Sequence, residues 1–125
     1  MANPNIAAVS AIYGNTSTTS LTTTNATSIA SNAASSGKVY KINSIVVANV
    51  DGTSAAHITI NIYSSAALGG SATAIASTIS VPADSTLIVT YKTTSFYLLE
   101  NKSIGAIASV ANDLVVTASW EEINA

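Results

Sequence analysis

The sequence predicts an all-β protein, an antiparallel β-sandwich of jelly-roll-like or Ig-like form, and three observations carry that prediction. Thr, Val, Ile, Ser and Ala dominate the 125 residues, and β-branched side chains suit a pleated, half-buried surface. Apolar residues recur with the two-residue period of a strand, and no segment shows sustained helical spacing with caps. Gly, Pro, Asn and Asp turns separate the short apolar runs at intervals of about 8–12 residues, the rhythm of a sandwich or barrel.

Ile6 to Tyr13 reads as a strand broken by Gly14-Asn15. Residues 16–36 form a Ser/Thr/Asn/Ala tract with isolated Leu21 and Ile29, read as edge strands and long loops ordered against a neighbour. Within one domain, residues 1–36 are therefore expected to form an N-terminal arm with edge strands, and 37–125 the sandwich core. From Lys38 to Val50, Tyr40, Ile42, Val46, Ala48 and Val50 share one parity, while Val39, Ile45 and Val47 sit on the other, so this strand should be covered on parts of both faces. His57 to Ser64 alternates cleanly, Ile58, Ile60 and Ile62 against His57, Thr59, Asn61 and Tyr63, which predicts one dry and one wet face. Asp51-Gly52 between these runs predicts an antiparallel hairpin, since that pair readily adopts positive φ.

After the link Leu68-Gly69-Gly70-Ser71, a strand through Ile75, Ile79 and Val81 should end at Pro82-Ala83-Asp84-Ser85, because Pro cannot donate to a ladder. Leu87, Val89 and Tyr91 begin the next strand, which the Lys92–Ser95 loop separates from Phe96–Leu99. Ile104–Val110 follows the polar turn Glu100–Ser103. A hairpin at Ala111-Asn112-Asp113 is expected before a last strand that turns Leu114, Val116, Ala118 and Trp120 to one face.

Only 8% of the chain is charged against 48% hydrophobic, where an average domain carries roughly 25% charged residues. Like-charge repulsion normally keeps proteins apart, so such a surface favours contact with other proteins. Four Lys, no Arg and a net charge of −2 supply no basic stripe for nucleic acid. No apolar run is long enough for a membrane helix. The start, Met1-Ala2-Asn3-Pro4-Asn5, lacks a basic leader, and together with the absence of Cys this suggests assembly in a cytoplasm.

Catalysis finds little support. His57 is the sole histidine, sits on the wet parity and has no G-x-S-x-G nucleophile nearby. Adjacent Glu121 and Glu122 face opposite sides of a strand, and Asp51 and Asp113 read as turn residues rather than parts of a calcium site with Thr53 or Asn112. Gly69-Gly70 lacks the phosphate-loop pattern. Asn15, Asn25 and Asn101 begin chance glycosylation triplets. Trp120 and Tyr97 could stack on a sugar, but the parity of Trp120 favours the core. No residue is assigned a catalytic, cofactor-binding or metal-binding role, and no cofactor is expected.

The order Gly37-Lys38-Val39-Tyr40-Lys41-Ile42-Asn43-Ser44-Ile45-Val46-Val47-Ala48-Asn49, then Asp51-Gly52-Thr53, resembles small virion structural proteins of tailed bacteriophages. So do Val81-Pro82-Ala83 before Thr86-Leu87, Phe96–Glu100, and the ending from Leu114 to Ile123; such proteins often have Gly where this chain has Asp84. The resemblance spans about residues 37–123 and rests on strand-and-turn patterns. It implies a non-enzymatic β-sandwich in the virion: a capsid decoration (cement) protein on the major capsid protein shell, commonly a homotrimer, or a tail or neck component. A carbohydrate-binding host-adhesion module is the alternative from another class.

Overall fold

The computed structural model describes residues 3–125. Its strands are β1 (Ala11–Ser20), β2 (Thr27–Asn32), β3 (Lys38–Asn49), β4 (Ala56–Ser65), β5 (Gly69–Val81), β6 (Thr86–Thr90), β7 (Phe96–Leu98), β8 (Lys102–Ala108) and β9 (Leu114–Asn124). A single 3-10 turn, Lys92–Thr94, interrupts the run between β6 and β7.

One sheet has the order β1-β9-β3-β6, with β7 continuing beside β3; the other has the order β2-β8-β4-β5. All pairings are antiparallel. Counting β6 and β7 as one interrupted strand leaves two four-stranded sheets joined mainly by connections that cross from sheet to sheet. This is the jelly-roll arrangement. An Ig sandwich keeps its first two strands in one sheet, whereas β1 and β2 lie in opposite sheets here. The core between the sheets is built from Leu21, Ile42, Ile45, Ile58, Ile60, Leu98, Ile104 and Leu114, all essentially inaccessible to solvent. Residues 11–32 belong to this sandwich as its two edge strands on one side, and Leu21 and Ile29 are core residues.

Two expected hairpins are crossings instead. β3 has β9 along one edge and β6 and β7 along the other, so no edge remains for β4. Neither Asp51 nor Gly52 takes positive φ. The Asp51 carboxylate accepts hydrogen bonds from Ser54 N at 2.7 Å and Thr53 Oγ1 at 3.2 Å, an Asx-type turn that carries the chain over the end of the sandwich. Ala111-Asn112-Asp113 likewise links β8 in one sheet to β9 in the other, with Asn112 at φ 72° and its N–H on the Leu21 carbonyl.

A tight hairpin does form between β4 and β5, where the sequence suggested a loose link. Ala67 and Leu68 occupy its two central positions at φ 56° and 60°, the sign a type I′ turn requires and a costly one for residues with a Cβ. Hydrogen bonds from Ala66 N to Asn101 Oδ1, Ala67 N to Ser31 Oγ and Leu68 N to Ser103 Oγ hold the tip down against β8 and β2. Leu68 and the Tyr63 ring then cover Gly105, where a Cβ would sit 2.8 Å from each. Asn61 and Tyr63 are therefore buried, not wet as the alternation implied. Ile62 is only partly buried.

The mixed parity of β3 has a local cause. A register shift between Ile42 and Ser44 moves the inward set from Tyr40 and Ile42 to Ile45, Val47 and Asn49, leaving Val46 and Ala48 half-buried on the outer face. Val39 and Ile123, also outward, are covered at the end nearest the chain's start: Pro4 is buried there, and Pro4 and Ile6 share a groove with Val39, Tyr97 and Leu99.

Candidate functional site

The residues weighed for chemistry lie apart. His57 is exposed at the start of β4, and its main chain exchanges hydrogen bonds with Ser109. Glu121 accepts from Asn43 Nδ2 at 3.2 Å, while Glu122 pairs with Lys38 at 3.4 Å on the other face of β9. Asp51 caps its turn, and the Asp113 carbonyl accepts from Val50 N. Among the described residues no three His, Cys, Asp or Glu side chains gather as a metal site. Asn15 is exposed on β1, Asn25 lies in the loop before β2, and Asn101 sits in a turn at φ 58° with its carboxamide on Ala66 N.

Trp120 stacks on Tyr40 with ring centroids 5.9 Å apart and planes 21° from parallel, packed against the core. Burial, helped by the nearby Glu122 carboxylate and opposed by Lys38, raises the Tyr40 hydroxyl above its ordinary pKa. Tyr97 is exposed beside Leu99. The two aromatics suggested for sugar stacking thus do not form one platform.

An open cleft of about 450 Å³ lies between the β5 edge of one sheet and the β6–β7 edge of the other, lined chiefly by Ile62, Ile75, Val89, Tyr91 and Phe96. Thr90 and Thr94 at its wall satisfy one another: their hydroxyls are 2.6 Å apart, and Thr90 Oγ1 reaches the Thr94 carbonyl at 2.9 Å. The cleft therefore presents apolar surface with few converging polar groups, unlike a site built to orient a polar substrate.

The distribution of charge is the strongest feature of the surface. Residues 3–37 and 52–83 contain no Lys, Arg, Asp or Glu. Strand register places Lys38, Lys41, Lys102, Glu121 and Glu122 towards the end that holds Asn32 and Asn124. Asp51, Asp84 and Asp113 occupy loops at the opposite end, where Asp84 N donates to the Asp51 carbonyl. The long flanks between carry hydroxyls, amides and exposed apolar groups such as Ile12, Tyr13, Ile75, Ile79, Ile88 and Tyr91. Composition announced the scarcity of charge; its confinement to the ends and the β6–β7 turn appears only once the strands are in register.

No protein-family model and no curated protein matches the chain. Among solved structures it is similar to a chain from Bacillus endospore appendages, described as a novel family of disulfide-linked pili. The two share 18% identity over 90% of this chain and 88% of that one, with a TM-score of 0.53. At that distance the likeness concerns the fold.

Proposed function

We propose that this chain is a non-enzymatic structural subunit that works by packing against other protein subunits, first of all as a capsid decoration protein on the major capsid protein shell of a tailed bacteriophage. The observation that carries the reading is that the β1–β2 flank has no ionised side chain and the opposite flank only Lys92, while exposed isoleucines and tyrosines stud both. Such flanks approach a protein surface without stripping water from charges, which is costly when those charges end unpaired. Repetition over a shell multiplies individually weak contacts. The jelly roll is an architecture found in viral capsid proteins, a fold-level analogy that supports the virion reading.

The test is the position and copy number of the chain in purified virions, by labelling and quantitative mass spectrometry. A decoration protein appears on the head at a copy number comparable with that of the shell protein. A low count at the tail or neck selects a tail subunit, and absence from virions refutes the phage reading. Glycan binding lost on Tyr97→Ala would select an adhesion module.

The fold shared with a pilus chain favours a second reading, a subunit that polymerises with itself. The chain has no cysteine, so a filament of it would be held without the disulfide links described for that pilus. Filaments formed by the purified chain alone would establish this reading over the first.

A further inference from the structure

We propose that the outward edge of β1 is a self-association surface, on which a second copy of this chain adds its own β1 antiparallel across a two-fold axis. The sandwich has four free strand edges, and three carry devices that discourage pairing. β2 is six residues long with a register shift between Ser28 and Ala30. β5 has three register shifts and a residue, Thr78, at φ 51°. The β6–β7 edge is interrupted by the Lys92–Thr94 turn, which brings a charge.

β1 has none of these. Its register against β9 runs unbroken from Ala11↔Asn124 to Ser20↔Val115. It contains no Pro and no charged side chain. Ile12 to Thr16 are exposed on both faces of the strand. Asn15 Nδ2 reaches the Tyr13 carbonyl at 3.5 Å; no other hydrogen bond from outside the β1–β9 ladder reaches the main chain of Ala11–Ser20 among the described residues.

The occupant follows from charge and symmetry. An isologous contact sets every group near its own copy, so it is favoured where the surface carries no charge to repel itself. β1 and β2 make up one entire flank of the sandwich, and both come from the uncharged residues 3–37. A two-fold axis normal to the sheet keeps outer faces outward, so opposed residues must share parity. Near-complete overlap of the ten-residue strands therefore puts either Asn15 or Thr16 opposite itself. Because this pairing closes at two copies, a trimer would have to use another surface.

The absence of native cysteine makes the geometry directly testable with Asn15→Cys and Thr16→Cys in the full chain, and Thr73→Cys on β5 as control. Directly opposed residues lie about 4.5–5.5 Å apart between Cα atoms, within disulfide reach. Pairing raises the local thiol concentration, so one of the two β1 variants should form dimers in an oxidising glutathione buffer at least about tenfold faster than the control. Sedimentation of the unmodified chain should show a reversible dimer. The proposal is overturned if neither variant outpaces the control, or if the unmodified chain stays monomeric at millimolar concentration. The experiment uses only the isolated chain, so it stands or falls independently of the virion reading.

Discussion

Replacing Asn49 with Ala tests how the two sheets are fastened. Asn49 sits at the end of β3 with 3% of its surface exposed. Its Nδ2 donates to the Val81 carbonyl at 2.9 Å, where β5 ends in the opposite sheet, and to the Ser54 carbonyl at 3.0 Å. Its Oδ1 accepts from Asp51 N at 2.9 Å. Truncation removes three hydrogen bonds, each worth about 1 kcal/mol net, for a loss of about 3 kcal/mol. With an unfolding entropy of about 2.1 cal/mol/K per residue over 125 residues, Tm should fall by about 11 °C. Urea and thermal unfolding can be followed through Trp120, the sole tryptophan. Asn43→Ala is the control: Asn43 makes one bond, to Glu121, and its buried Oδ1 already lacks a partner. It should cost less than about 1 kcal/mol. Equal losses for both variants, or a loss below about 1 kcal/mol for Asn49→Ala, would refute the cross-sheet role.

Three further outcomes follow from local geometry. Ala67→Gly and Asp84→Gly, at φ 56° in each case, should each stabilise the chain by about 0.5–1 kcal/mol in thermal melts, because Gly carries no left-handed penalty. Gly105→Ala should destabilise it by about 1–3 kcal/mol, since the new Cβ would meet Leu68 and Tyr63 at 2.8 Å, and a companion Leu68→Ala should recover part of that loss. Tyr40 is raised in the folded chain by burial and by Glu122. Its contribution is therefore complete below pH 10, the unfolded value, and disappears as pH rises through the folded value. Alkaline titration of tyrosinate absorbance should show a late component that is missing in Tyr40→Phe and shifted down in Glu122→Gln.

The sheet class and most strand positions were legible because Thr, Val and Ile alternate with a two-residue period, as in Ile58 and Ile60 or Leu114, Val116 and Ala118. Strand partners were not. Asp51-Gly52 carries a strong local hairpin signal, yet β3 finds both its edges occupied by strands distant in sequence, and the turn adopts another geometry. The converse holds at Ala67-Leu68: neither central residue is Asn or Gly, and tertiary hydrogen bonds donated by the turn's N–H groups to Asn101, Ser31 and Ser103 impose it. The burial of Asn49 cannot be read from parity, because the bulge at Asn43-Ser44, which reverses the faces of β3, leaves no mark in the hydrophobic pattern. Asn32 is equally illegible in the sequence. It is fully buried, donating to the Lys38 and Leu98 carbonyls and accepting from Ser36 Oγ, but a lone Asn in a Ser/Thr tract looks solvated.

Asn32 and Asn49 also explain how a chain so poor in charge remains specified. Each spans the two sheets, Asn32 from β2 to β3 and β7 at one end, Asn49 from β3 to the end of β5 at the other. A buried amide with both ends satisfied fixes the relative placement of the sheets, since sliding either sheet would leave carbonyls unpaired in the core. Neutral amides and hydroxyls thus do internally what ion pairs would otherwise do at the surface. The flanks, Lys92 apart, consequently lack the charges that repel neighbours. On this reasoning the same compositional choice serves two ends: it keeps the sandwich in register from within and leaves its sides able to lie against other subunits.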